Sequence, residues 1–397
     1  MANEEKDRPT KRQRNDDDVT TPSLLLTPYQ QTLLSKIHPH LSPTLISSLT
    51  ETVHKLTTYG KGITACDESA GTIGTRFDNV ASIENTEENR RIYRQMLLET
   101  DGIEEYLSGA ILDPETLYQK STKSNELFPQ SLTNRGIVPG VKPHLKVYAL
   151  PGMHGDTVMQ GLDSLAVRAK EYYNAGARFA KWRSPFTVDM AQGRPTDVAI
   201  AANMTDLARY ALICQSEGLV PIVEPDVSLV GSHTLEEAVA VNVKIHSLLY
   251  KSMLEHGVYM GGATVKTNIV NPGKDCTIKY TVDEIGQANV FFLEQCMPTS
   301  IRGVNYLSGG QSLSQALGRL DAINRAAKKR GGLPFNLSFS WSQALQLPLL
   351  ELCSKPGGAL KVEEMAEEYV KELKMAALAA KGELECGQSG GDHVPKE

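Results

Sequence analysis

Five charged residues stand where short apolar runs of this sequence end: Asp67, Lys142, Lys181, Glu224 and Lys266. Lys181 in RFAKW and Lys266 in GATVKTNIV interrupt runs that otherwise read as buried strand. An ammonium in such a place must find a partner or shift its pKa. An amine attacks a carbonyl only when neutral, a state favoured by burial or by a second cation nearby. Lys266 therefore suits the nucleophile of a Schiff-base reaction, and Lys181 the second cation. Dehydrating a carbinolamine needs a proton donor, a task Glu224 in IVEPD can perform, with Asp226 two residues further on. For any one position a polar residue opening a loop is the simpler alternative; recurrence at five strand ends argues for chemistry.

Two further stretches suit anions. Ser308-Gly309-Gly310-Gln311-Ser312 follows a predicted strand, and paired glycines let backbone N–H groups approach a phosphate closely; a plain Gly-rich turn has the same composition. After Asp67, the segment Glu68-Ser69-Ala70-Gly71-Thr72 offers hydroxyls, and Arg76 adds a cation. Those hydroxyls bind a second phosphate or cap a helix, and both readings stay open on the residues alone.

Positioning these groups requires a scaffold of repeated strands. Runs expected as strands are Gly62–Cys66, Ser108–Leu112, Val138–Val141, Arg178–Lys181, Leu219–Val223, Ala263–Lys266, Ile301–Leu307 and Phe335–Ser340. They start about 30 to 46 residues apart, room for a helix and two loops each time. Thr234 with Glu237, and Thr281 with Glu284, have the spacing of capping boxes, and Ile200, Met204, Leu207 and Ala211 share one helical face. Eight β–α units predict an α/β fold, the closed (β/α)8 TIM barrel, whose chemistry sits at the C-terminal ends of the strands. A doubly wound open sheet is the alternative, but no GxGxxG opens a helix after the first strand.

The chain has 397 residues, a net charge of −6, 41% hydrophobic and 22% charged residues, 32 Gly and 20 Pro. This balance gives no reason to expect nucleic acid or an anionic membrane as partner, so an anionic substrate has to be drawn by a local cluster of cations. No apolar run approaches the length that crosses a bilayer. The six cysteines are scattered without a CxxC pair, which points to reduced thiols in the cytoplasm rather than to disulfides or a metal site. Residues 1–22 are expected as a disordered charged tail, 23–386 as a single barrel domain and 387–397 as a flexible tail. The basic cluster Lys11, Arg12 and Arg14 reads as a solvated tail before it reads as a nuclear import patch.

Several long motifs now coincide in one chain: ITACDESAGTIGTRF, ENTEENRRIYRQMLL, FAKWR, ALICQSEGLVPIVEPD, VKTNIVNPG and GVNYLSGGQS. In order and spacing, from about Thr27 to about Ala380, they resemble class I fructose-1,6-bisphosphate aldolases of the animal and plant type. The resemblance implies a (β/α)8 barrel, a homotetramer, and a lyase that binds a sugar phosphate and needs neither cofactor nor metal. It implies that Lys266 forms the Schiff base, that Glu224 is the acid/base and that Asp226 is a second site carboxylate. It further implies that Lys181 and Arg183 stand beside the substrate and that Asp67 handles the C4 hydroxyl proton. Lys142, Ser69 and Thr72 fall on groups around the far phosphate, Ser308 and Gly309 on the near-phosphate loop.

Besides Asp226 where a glutamate is usual and Thr72 where a serine is usual, this sequence departs from the pattern at three places. Gln343 stands where a phosphate-gripping arginine is expected, and an amide donates hydrogen bonds without charge. Thr75 replaces a usual lysine beside Arg76, and the last tyrosine is Tyr369, where relatives often end in a tyrosine that assists proton transfer. A Schiff-base aldolase with altered sugar-phosphate specificity is therefore the second expectation. A non-catalytic scaffold is the third, and retention of Lys181, Glu224, Lys266 and Asp67 speaks against it.

Overall fold

The structure, a computed structural model, describes residues 26–153, 155–353 and 358–385. The expected terminal tails lie outside the described residues, as do residues 23–25 and 386 at the edges of the expected barrel domain. Eight parallel strands close into a barrel: β1 (Gly62–Cys66), β2 (Leu107–Leu112), β3 (Val138–Val141), β4 (Phe179–Phe186), β5 (Val220–Val227), β6 (Thr264–Asn268), β7 (Gly303–Leu307) and β8 (Asn336–Trp341). Each strand pairs with its sequence neighbours, and β8 closes on β1 through Ile63↔Ser340 and Thr64↔Trp341. This is the (β/α)8 barrel.

Two features of the ring differ from the expected spans. β4 and β5 run on past Lys181 and Val223, pairing as a ribbon through Arg183↔Glu224, Pro185↔Asp226 and Phe186↔Val227. Lys181, Glu224 and Lys266 are accordingly inside strands rather than at their ends. Prolines are tolerated in these extensions because β3 pairs with β4 only at Phe179 and Ala180, and β6 with β5 only at Ile222 and Val223. Above the rim Pro185 and Pro225 each face an open edge, where no ladder N–H is needed. A small antiparallel pair, Val147–Ala149 with Thr157–Met159, was not expected either; its first strand is fully exposed and carries no burial pattern.

The period-2 alternation of strands sorts the side chains. Ile63, Ala65, Ile111, Val138, Phe179, Val220 and Ile222 pack inside the barrel against Ile46, Leu49, Val53 and Leu56 of the helix Pro43–Leu56, which plugs the bottom. The alternate residues, such as Val223, Val265, Val304, Tyr306, Phe339 and Trp341, belong to the larger core between strands and outer helices. Gly140 leaves the space that Phe179 fills, since a Cβ there would meet the ring at 2.3 Å. The helices begin as their caps dictate: Thr234 with Glu237 and Thr281 with Glu284 form complete capping boxes, and Ile200, Met204, Leu207 and Ala211 are buried on one face of Asp197–Ser216.

Among the described residues no helix is long and apolar enough to cross a membrane, and the five described cysteines are unpaired.

Candidate active site

The inward stripe of each strand changes character on the way up. On β5 it runs Val220, Ile222, Glu224, Asp226; on β4 it runs Phe179, Lys181, Arg183; on β1 it runs Ile63, Ala65 and then Asp67. The apolar residues at the bottom build the core, and one pleat further up the same face delivers charge to the mouth. There a cavity of about 500 Å³ opens. Every residue expected from the sequence to act in catalysis or substrate binding lines it: Asp67, Ser69, Thr72, Arg76, Lys142, Lys181, Arg183, Glu224, Asp226, Lys266, Ser308, Gly309 and Gln343. Six basic and four acidic side chains face the cavity, a local cationic excess in a chain of net charge −6.

At the centre, Lys181 Nζ lies 2.7 Å from Asp67 Oδ2 and 3.0 Å from Glu224 Oε2. Burial opposes its charge, but the two carboxylates outweigh burial and its pKa is raised, so Lys181 is an ammonium. Lys266, 4% exposed, is held differently: its ion pair with Glu224 Oε1 spans 3.7 Å. Burial pushes its pKa down, Glu224 pulls it back, and the charge of Lys181 pushes it down again, with a lowered value as the result. Burial works against the charge of the Asp67 carboxylate, but Lys181, Lys266 and Lys142 prevail and hold its pKa below the usual range. The pair expected from the sequence, one lysine neutralisable and the other a permanent cation, is thus present with a carboxylate between them.

Towards the rim the cations are tied up. Arg183 is bound to Asp226 at 2.7 Å, and Lys142 Nζ to Asp113 Oδ2 at 2.9 Å. Arg76 donates to Glu68 at 2.8 Å, to Gln346 Oε1 at 2.6 Å and to Ser342 Oγ at 3.0 Å, while Ser342 also contacts Glu68. Ser69 caps the helix Ala70–Arg76 and its hydroxyl lies 3.1 Å from that of Thr72, so the capping reading holds while both hydroxyls still border the cavity. Across the mouth, Gly309 and Gly310 adopt φ of +58° and +82°, conformations that L side chains rarely take, and the Gln311 amide holds the turn by donating to the carbonyl of Ser308 at 2.7 Å.

Sequence reasoning missed several lining residues. Glu68, Ser342 and Lys146 border the same cavity, as does His144, two residues beyond Lys142. Position alone could have found His144: it follows a strand end already suspected, in a loop on the chemical face. Among the described residues no group of His, Cys, Asp and Glu is arranged to hold a metal ion.

Comparison with known proteins agrees with this geometry. Residues 48–395 match the family model described as fructose-bisphosphate aldolase class-I. The chain is 42% identical to a fructose-bisphosphate aldolase of Dictyostelium discoideum over 84% of this chain and 91% of the relative. It is 42% identical to a probable class 1 enzyme of that name from Xylella fastidiosa, covering 84% of this chain and 98% of the relative. A solved structure of Plasmodium falciparum fructose-bisphosphate aldolase, in complex with TRAP and a small-molecule inhibitor, superposes with a TM-score of 0.83 at 40% identity, covering 87% of this chain and 98% of that one.

Proposed function

The chain belongs to the class I fructose-bisphosphate aldolases, and from that membership we propose that it cleaves fructose 1,6-bisphosphate reversibly through an imine on Lys266. The products are dihydroxyacetone phosphate and glyceraldehyde 3-phosphate. The observation that carries this reading is the buried lysine of β6, whose pKa is lowered by burial and which shares the carboxylate of Glu224 with the cation Lys181.

The steps follow from the groups at hand. Neutral Lys266 adds to the C2 carbonyl, and Glu224 donates the proton with which the carbinolamine loses water. The resulting iminium accepts the electron pair of the C3–C4 bond as that bond breaks. The C4 hydroxyl proton passes to the Asp67 carboxylate, and the aldehyde departs. The enamine left on Lys266 is then protonated at C3 and hydrolysed, which returns the free amine. Lys181 keeps Asp67 ionised and holds the Glu224 carboxyl in place, and Asp226 orients Arg183 beside the substrate. One phosphate rests on Ser308 and Gly309; the other meets Lys142, Ser69, Thr72 and Arg76, with Gln343 at the edge.

Borohydride added with substrate is expected to fix a covalent adduct on Lys266, and Lys266→Met to have no turnover. Product formed without an adduct on Lys266 overturns the reading.

Gln343 favours a second reading, a Schiff-base aldolase whose phosphate grip is relaxed towards mono-phosphates. A charge-assisted bond is worth about 1.5–3 kcal/mol, so its loss narrows the preference for the bisphosphate by about one to two decades. The ratio of kcat/KM for fructose 1,6-bisphosphate and fructose 1-phosphate decides it. A homotetramer working in the cytoplasm, in glycolysis and gluconeogenesis, is the accompanying proposal, resting on family resemblance; light scattering and cell fractionation test it.

A further inference from the structure

His144 sits in the loop after β3, and its ring meets the edge of Trp182 with centroids 5.9 Å apart. Both ring nitrogens are buried, and neither has a hydrogen-bond partner. A neutral imidazole carries one donor and one acceptor, and leaving either buried and unmet is costly. The residue lines the cavity. The groups whose charges reach it are Lys181, Lys142, Asp67 and Arg183, on β4, on the loop after β3 and on the loop after β1. Burial first and then the two lysines hold its pKa well below the ordinary histidine range, so the ring is neutral.

Those neighbours place His144 on the side of Asp67 and Lys142, where the aldehyde half of the substrate lies if Lys266 holds the ketose half. A phosphate oxygen only accepts hydrogen bonds and would use one of the two nitrogens. A hydroxyl both donates and accepts, so it can meet either nitrogen of a neutral ring. Glyceraldehyde 3-phosphate brings one free hydroxyl, on the carbon next to its aldehyde.

We propose that His144 is a specificity-determining residue that hydrogen-bonds this hydroxyl, which is the C5 hydroxyl of the bisphosphate. The inference rests on the assignment of Lys266 as the imine-forming lysine. It makes His144 idle in any step that involves the three-carbon ketose phosphate alone.

Three measurements on wild type, His144→Ala and His144→Phe test it; the phenylalanine keeps a ring against Trp182 without the nitrogens. Condensation of dihydroxyacetone phosphate with glyceraldehyde 3-phosphate is expected to fall about three- to tenfold in kcat/KM, the effect of one neutral hydrogen bond. Condensation with the same aldehyde phosphate lacking its hydroxyl is expected to be unchanged, and so is deuterium exchange into dihydroxyacetone phosphate alone. Equal losses with both aldehydes, unaltered condensation with both, or a matching loss of exchange in both variants, overturn the assignment of His144. If wild type itself shows neither exchange nor a trapped Lys266 adduct, the failure belongs to the Schiff-base reading instead.

Discussion

The centre of the cavity and its rim are built on different terms. At the centre, Lys181, Glu224 and Lys266 stand on the neighbouring strands β4, β5 and β6 and Asp67 directly after β1, linked by contacts of 2.7 Å (Lys181–Asp67), 3.0 Å (Lys181–Glu224) and 3.7 Å (Lys266–Glu224). Their positions follow from strand register, and the barrel cannot shift one without shifting its ladder. At the rim, Arg76 is committed to Glu68, Ser342 and Gln346, Lys142 to Asp113, and position 343 has no charge. An incoming phosphate has to compete there with carboxylates already in place. The centre is tuned for bond chemistry by cations and acids that hold one another; the rim is a grip already partly closed on itself. Changes at the centre should therefore act on the chemical step, and changes at the rim on binding and substrate choice.

The largest expected effect after loss of Lys266 itself is at Glu224. Glu224→Gln keeps the shape but removes proton transfer, so kcat is expected to drop roughly 10²–10⁴-fold. Steady-state cleavage assays check this, and KM should move far less than kcat. A variant whose KM rises while kcat stays would place Glu224 with the rim rather than the centre.

How much of this was legible in the sequence also divides between centre and rim. Lysines inside apolar runs are conspicuous, because a strand that buries Phe179 and Ala180 has no packing reason to continue with Lys181. The same period-2 rule that identifies the core identifies the residues above it, so the barrel strands and the central charges came together. What periodicity does not encode was lost. The lengths of β4 and β5 were underestimated, because a ribbon that continues above the barrel rim is a tertiary circumstance. The pair Val147–Ala149 and Thr157–Met159 buries only Met159, too little of a pattern to announce it. Two partners of Arg76, Ser342 just after β8 and Gln346 in the helix Gln343–Glu351, are 266 and 270 residues away, and no local pattern predicts such a pairing.

The next effect in size belongs to the rim. Gln343→Arg places a guanidinium at the cavity edge, where it can form the fork that an amide cannot. It is expected to raise kcat/KM for fructose 1,6-bisphosphate roughly ten- to a hundredfold, in line with a charge-assisted bond of about 1.5–3 kcal/mol. Fructose 1-phosphate kinetics, measured alongside, report which phosphate benefits: a gain for the bisphosphate alone assigns Gln343 to the far phosphate, and an equal gain assigns it to the near one. No gain for either would mean that Glu68, already paired with Arg76, also takes up the new arginine, which Glu68→Gln in the same background would reveal.

The smallest effect is a displacement along the pH axis, and it tests whether the two lysines of the centre are coupled. Lys266 has to be neutral to attack, so imine formation grows as pH rises through its pKa. Burial lowers that pKa most, and Lys181 lowers it further, while Glu224 raises it. Lys181→Gln removes one lowering influence and leaves Glu224 in place, so the pH at which Lys266 becomes reactive should move up. The rate of borohydride-trappable imine formation with dihydroxyacetone phosphate, measured against pH, reads this without passing through bond cleavage. The same substitution has an opposite signature in stability. The folded pKa of Lys181 lies above its unfolded value, so its ion pairs stabilise the fold fully below the unfolded value and are lost only as pH climbs through the raised one. The variant should therefore melt at a lower temperature than wild type at neutral pH, and the gap should close in strong alkali. A lower melting temperature with no change in the pH profile would leave burial and the carboxylates to tune Lys266, and would reduce Lys181 to a holder of Asp67 and Glu224.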